Sequence, residues 1–241
     1  MSLIKIEKKI KKFKKNLIIS GDKSLSIRWA LLASQSLYKS KSYNLLASED
    51  VLNTLQCLRK LGVKIKLTKK FCEIFGVGLN GFKYKKSLSL NAGNSGTLGR
   101  LIMGLLVHCK SNIKLIGDKS LSRRDFLRVS KPLERFGAKF KTNSGKLPIH
   151  IKGTDNPLPI SYNETRGSAQ CKSAVMLAAL NTRGETIIKA KKSRDHSELL
   201  FKYLKLPIKI SKKKNYDLIR IKGKKKIPSI NYRIPADISS S

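Results

Sequence analysis

Aromatic residues make up only 7% of this 241-residue chain, and there is a single tryptophan. That is a thin supply for a protein that binds nucleic acid by stacking bases. Acidic residues are scarcer still, 15 Asp+Glu against 52 Lys+Arg, which leaves a formal net charge of +37 and a pI near 10.3. The four cysteines (Cys57, Cys72, Cys109, Cys171) are widely spaced and form no C-x-x-C pair. With three isolated histidines (His108, His150, His196) they make no metal-ligand cluster, so no metal and no cofactor are expected. Reduced thiols of this kind suit the cytoplasm, the expected compartment. No run approaches the ~18–20 apolar residues of a membrane span. The start, MSLIKIEKKIKKFKKNLIIS, has lysines throughout and no apolar h-region, which argues against a secretory signal.

What is present is a foldable chain. Hydrophobic residues are 40%, enough for a sizeable core, and charged residues are 28%, close to the globular norm of about 25%. The excess is one of sign, not of charge density. At about 150 residues per domain, the length allows one large domain or two modest ones. A charge of +37 first suggests nucleic acid. The lysines, however, far outnumber the arginines, whose bidentate guanidinium base and phosphate readers favour. They also cluster along the whole chain, at 8–15, 64–70, 83–86, 189–192, 212–214 and 222–226. The favoured reading is a solvated lysine surface, with anion steering second and specific nucleic-acid binding last.

Three segments resemble one another: LRKLGVKI (58–65), LERFGAKF (133–140) and YLKLPIKI (203–210). Each closes a helix and opens a strand, and each is followed by another β-rich run, FCEIFGVG, LPIHIKG or YDLIRIKG. The repeat of about 70–75 residues suits a small αβ module used three times. Each module reads as a short strand (NLIIS, SLSLN, PISYN), a helix (24–37, 95–109, 168–181) and a strand (SYNLL, NIKLIG, ETIIKA). A second helix (49–61, 125–136, 195–206) and two more strands complete a βαβαββ unit. The first helices are apolar nearly all round and are expected to be buried. The second are amphipathic: Val51, Leu52, Leu55, Leu58 and Leu61 form one face, and Glu49, Asp50, Arg59 and Lys60 point out. Gly62 and Gly137 stand where a helix end wants positive φ. Pro132 predicts a kink or late start in its helix. Three buried helices in pseudo-threefold register imply an α/β prism, with Trp29 in its core. Residues 21–230 form the three-repeat domain, and 1–20 and 231–241 stand outside the count.

The first helix of each module begins in a polar, glycine-bearing turn: Gly21-Asp22-Lys23-Ser24, Gly93-Asn94-Ser95-Gly96-Thr97 and Gly167-Ser168-Ala169-Gln170. Helix N-termini offer free N–H groups and a positive dipole end, and glycine lets an anion approach the backbone. Module symmetry places all three starts at one end of the prism, a site for a multiply anionic small molecule. Lys23, Arg28, Arg123, Arg124 and Arg194 add positive charge around the helix starts.

The motifs SGDKSLSIR (20–28), GNSGTLGRL (93–101), GDKSLSRRD (117–125), GSAQCKSA (167–174) and SRDHSELL (193–200) resemble, in order, those of the EPSP synthases. These are enolpyruvyl transferases of the shikimate pathway. The resemblance implies an inside-out α/β prism of two domains, each of three βαβαββ units, in agreement with the repeat. IPADISSS (234–241) resembles the family's return crossover, with Ile238 for its aromatic. Because the family's chain is nearly twice as long, this chain is expected to be an N-terminal fragment, inactive alone. Most of one domain, its acid/base groups and further phosphoenolpyruvate-clamping arginines would lie outside it.

The resemblance also implies roles. Lys23 touches both substrates. Ser24, Arg28, Ser168, Ala169, Gln170 and Arg194 bind shikimate 3-phosphate, with Arg28 on its carboxylate. Gly96, Arg124 and Gln170 bind phosphoenolpyruvate, and a methyl group at Gly96 would crowd that pocket. No cofactor or metal is implied, nor a membrane, and the full-length protein is expected to be a monomer. Asp125 replaces the usual proline and reads as a helix cap. Asp195 with Glu198 reads as a structural capping box, and His196 receives no catalytic role. Two alternatives stand beside this. One is a UDP-N-acetylglucosamine enolpyruvyl transferase, which has Lys-Asn where Lys23-Ser24 stands and a reactive loop cysteine, to which Cys109 is the nearest candidate. The other is a basic anion- or nucleic-acid-binding protein without catalysis.

Overall fold

The structure is a computed structural model that describes residues 12, 14 and 19–237. The first module holds α1 (Lys23–Ser34), β1 (Lys39–Tyr43), α2 (Glu49–Lys60), β2 (Lys64–Leu67) and β3 (Phe71–Phe75). The second holds β4 (Leu88–Asn91), α3 (Gly96–Leu106), β5 (Ile113–Ile116), α4 (Lys119–Ser122), α5 (Leu127–Glu134), β6 (Lys139–Asn143) and β7 (Lys146–Lys152). The third holds β8 (Ser161–Glu164), α6 (Ala169–Leu180), β9 (Glu185–Lys191), α7 (His196–Tyr203), β10 (Ile208–Lys212) and β11 (Tyr216–Lys222). A short β12 (Tyr232–Arg233) follows. The α/β prism of three repeats is therefore present as expected.

Each module builds one four-stranded sheet, and the strand orders are β12-β1-β3-β2, β4-β5-β7-β6 and β8-β9-β11-β10. In the second and third sheets the module's own opening strand lies parallel to the next, β4 on β5 and β8 on β9. In the first sheet that place belongs to β12, which runs parallel to β1 with Tyr232 beside Ser42. The opening strand expected at 16–20 lies for the most part outside the described residues, as does Ile238. Packing does not stop at residue 230. Ile234 is buried, the Asp22 N–H donates to the Pro235 carbonyl at 2.9 Å, and Gly21 bridges Ala236. The chain's return thus pins the start of α1, which matters for the site below.

Inside, α1, α3 and α6 are buried along nearly their whole length, including Trp29, whose indole N–H donates to the Ile230 carbonyl at 3.1 Å. The sheets turn alternate residues inward; in β7 these are Leu147, Ile149 and Ile151. Each fully buried aliphatic side chain contributes about 1.5–3 kcal/mol, set against the entropy of ordering the chain. Gly76, Gly153 and Gly223 follow the last strand of each module, and a Cβ at any of them would collide with backbone at the C-terminal end of that module's central helix. Bare glycine is what lets each sheet close on its helix.

Two local expectations need correction, and two others are met. The strand read as SYNLL starts earlier, at Lys39, because its inward residues are Ser40 and Ser42. Their small hydroxyls hide the apolar alternation, and Ser40 Oγ accepts the Ile230 N–H at 3.0 Å. Leu52 is exposed, since Val51, Leu55 and Leu58 already fill the inward face of α2. Gly62 (φ 86°) and Gly137 (φ 103°) do end their helices, but in the third module the left-handed residue is Lys205 (φ 51°), because α7 stops earlier. The helix expected from 125 starts late, at Leu127, as Pro132 foretold, with the short α4 ahead of it.

At the far end of the prism, His108 Nε2 lies 3.1 Å from the Ala178 carbonyl. Burial pushes its imidazole down to about 4. The folded chain therefore resists a proton that the unfolded chain accepts near pH 6.5. This contribution to stability is complete above about pH 6.5 and is lost as the pH falls towards 4. The urea midpoint is expected to drop between pH 7 and pH 5, and His108→Gln to flatten that drop. Equal slopes in both proteins would overturn the assignment.

Candidate functional site

The three glycine-bearing turns form three helix starts of one kind. Asp22 Oδ1 accepts the Leu25 N–H (2.5 Å), Ser95 Oγ that of Leu98 (3.2 Å) and Ser168 Oγ that of Cys171 (3.3 Å). Each cap satisfies one orphan donor of its helix and leaves the positive dipole end in place. The three starts converge. A pocket of about 230 Å³ takes Ser24 from α1, Thr97 from α3, and Ser168, Ala169 and Gln170 from α6. Arg28, Arg194 and His196 complete its wall.

Arg28 is the anchor on one side. It is only 5% exposed. Its Nε–H donates to Ser197 Oγ (2.8 Å), Nη1 to the Ser24 carbonyl (3.1 Å) and Nη2 to Ser173 Oγ (3.4 Å). Burial lowers its pKa to about 10, opposed by Glu198 and Asp22, so it stays charged at neutral pH. On the other side Gln170 bridges the modules: its Nε2 donates to Thr97 Oγ1 at 3.1 Å, and its Oε1 accepts Arg100 Nη1.

Next to this bridge lies a second basic cluster. Arg124 Nη2 donates to Asn94 Oδ1 at 3.1 Å. A Cβ on Gly96 would sit 3.0 Å from Arg124 Nη1 and 3.1 Å from Arg100 Nη1, so the bare backbone lets both guanidinium groups close in. Arg100 is buried, stacks over Phe126 and has its pKa lowered by burial first and then by the charge of Arg128. The Nε atoms of Arg100 and Arg128 are buried without a hydrogen-bond partner among the described residues. Arg100 Nη2 reaches the Asp125 carbonyl at 3.4 Å, and among the described residues none of Arg100, Arg124 and Arg128 forms an ion pair, an arrangement that suits an anion.

These geometric facts meet the comparisons with known proteins. The family model described as EPSP synthase (3-phosphoshikimate 1-carboxyvinyltransferase) matches residues 7–241. The chain belongs to the EPSP synthase family. It is 42% identical over 227 residues to a 3-phosphoshikimate 1-carboxyvinyltransferase of Vesicomyosocius okutanii, covering 94% of this chain and 51% of that protein. It is 41% identical over 224 residues to the Ruthia magnifica protein of the same name, covering 92% and 50%. A solved EPSP synthase structure from Acinetobacter baumannii superposes with a TM-score of 0.85 at 35% identity, covering 93% of this chain and 50% of that one. The chain spans about half the length of the curated relatives it matches.

Within the EPSP synthase frame, six of the expected site residues fall together. Ser24, Arg28, Ser168, Ala169, Gln170 and Arg194 line the pocket, and Lys23 adjoins it at the start of α1. Lys23 is turned away, 48% exposed and paired with Asp50 of α2 at 3.1 Å. Gly96 and Arg124 meet in the neighbouring cluster, joined to the pocket through Arg100 and Gln170. Asp125 Oδ1 accepts the Leu127 N–H at 2.7 Å, a local turn one residue before the Phe126 cap position. The capping box at α7 is absent: Asp195 makes no side-chain cap bond, and Glu198 is buried against Lys172. A buried lysine draws the carboxylate inward more strongly than a backbone N–H does. Cys109 is buried past the other end of α3, its thiol pushed up to about 11 by burial, unlike the reactive loop cysteine of the first alternative.

Sequence reasoning missed Arg100, Glu164 and the residues behind the pocket. Glu164 Oε2 accepts the Ser168 N–H at 2.9 Å and Oε1 the Arg166 N–H at 3.2 Å, which fixes the turn before α6. Arg100 and Lys172 are charges inside otherwise apolar helices, and that mismatch was the available signal. Among the described residues no helix is long and apolar enough to cross a membrane, and no three His, Cys, Asp or Glu side chains gather as metal ligands.

Proposed function

We propose that this chain forms the shikimate 3-phosphate half-site of an enolpyruvyl transfer. The observation that carries the reading is the meeting of three capped helix starts, one from each module, around a buried arginine. The reaction joins two anions, so placed cations must offset their repulsion before chemistry can start. Phosphoenolpyruvate is protonated at C3, and the 5-hydroxyl of shikimate 3-phosphate forms a bond to its C2 and loses its proton. The tetrahedral intermediate then loses a proton from C3 as its C–O bond to phosphate breaks, which restores the double bond and releases phosphate and 5-enolpyruvylshikimate 3-phosphate.

Arg28 and Ser24 take the carboxylate end of the sugar acid. Ser168 and Ala169, at the start of α6, take the 3-phosphate with Arg194. Gln170 lies between the two substrates, and Gly96 and Arg124 receive phosphoenolpyruvate. Lys23 leaves Asp50 for the anions, an exchange open to a half-exposed lysine. We place the full-length protein in the cytoplasm as a monomer.

Calorimetric titration tests this reading. Shikimate 3-phosphate is expected to bind saturably at both 50 mM and 300 mM salt, more weakly in Lys23→Ala, without turnover by the 241-residue chain. Binding of DNA alone, steeply salt-dependent, with no response to the sugar phosphate, would overturn it.

A further inference from the structure

Two charges are buried behind the pocket where an apolar contact of the same size would serve. The side chains of Lys172 and Glu198 are 1% and 3% exposed and form an ion pair between α6 and α7. Desolvating such a pair costs several kcal/mol per ion, and well-packed apolar replacements are often as stable. Stability alone therefore does not account for it.

Its location does. Lys172 precedes Ser173 in the first turns of α6, and Glu198 follows Ser197 in the first turn of α7. The two serine hydroxyls lie 2.6 Å apart. Ser173 donates to the Ala169 carbonyl at 2.7 Å, so Ser197 is left to donate to Ser173. Ser197 Oγ in turn accepts the Arg28 Nε–H. One directional chain thus runs from Arg28 through both serines to the backbone of a pocket residue. The ion pair clamps the same two helix turns one residue away. Arg28, Lys172 and Glu198 together leave one net positive charge, and Arg28 is the member that reaches the pocket wall.

We propose that Lys172 and Glu198 are positioning residues that lock the start of α7 to α6, holding Arg28 and Arg194 in register for an anionic ligand. This rests on the sugar-phosphate reading of the pocket. Neither residue needs to touch ligand.

The double variant Lys172→Met/Glu198→Leu removes both charges and leaves none unpaired. It is expected to fold with a melting temperature close to that of the parent chain. Its affinity for shikimate 3-phosphate is expected to fall about tenfold. The Arg28 Nε–H resonance in ¹H–¹⁵N spectra is expected to exchange with water markedly faster. Unchanged affinity and exchange would overturn the proposal. So would weaker binding with Arg28 unaffected, which would place the effect elsewhere. Should the double variant fail to fold, Glu198→Asp keeps the charge but shortens the reach, and the same two readouts decide. If the parent chain binds no shikimate 3-phosphate, the pocket reading fails by itself. The Arg28 exchange needs no ligand and still tests the clamp.

Discussion

Lys172→Met alone is expected to destabilise the fold by about 3–5 kcal/mol, because it strands the Glu198 carboxylate in a buried site. Against a total stability of about 5–15 kcal/mol for an ordinary domain, that leaves a marginal protein. The contrast with the double variant is the informative part. One deletion leaves the buried Glu198 carboxylate without its ion-pair partner and with only the longer-range attraction of Arg28, whereas two deletions leave an apolar contact. Urea midpoints of the four proteins in this cycle measure the coupling directly. A single variant as stable as its parent would show that water reaches the carboxylate and that the pair is not truly buried.

Arg28→Ala carries the largest expected effect on binding. It removes a guanidinium that donates to Ser197, Ser24 and Ser173 at once and lies in the pocket wall. Loss of a buried, hydrogen-bonded charge partner is expected to weaken shikimate 3-phosphate roughly 100-fold by calorimetry. Arg28→Lys should recover little of this, since one ammonium cannot meet three divergent acceptors. Shikimate and inorganic phosphate titrated separately locate the loss. The variant should lose shikimate and keep most of its phosphate response, because the proposed phosphate contacts are Ser168, Ala169 and Arg194. Loss of phosphate with shikimate spared would reverse the assigned orientation.

The pattern of apolar residues carried the three central helices, the outer helices and most strands, because burial leaves a periodic trace that needs no knowledge of contacts. It failed at Ser40 and Ser42, where the inward residues are polar and satisfied by hydrogen bonds, and at β12, where a pair of residues fills a slot in a sheet begun far earlier in the chain. The site divides the same way. Glycine-bearing helix starts pointed to the pocket through local chemistry alone. The capping box at Asp195 and Glu198 fitted the local pattern and lost to a buried lysine on another helix.

The hexapeptide GDKSLS shows where the boundary lies. It occurs at 21–26 and again at 117–122. Both copies start a helix, with Asp22 capping Leu25 at 2.5 Å and Asp118 capping Leu121 at 2.7 Å. One opens a buried helix of 12 residues and sets Ser24 in the pocket wall; the other opens a turn of 4 residues, and Ser120 is exposed. The sequence by itself determined the caps of the glycine-bearing helix starts, the repeat and the excess of positive charge, since each follows from bonds between near neighbours or from counting. Only the tertiary structure decided which of the many cations are buried. Arg28, Arg100 and Lys172 differ from the surface lysines in being desolvated, and desolvation depends on what the rest of the chain packs around them.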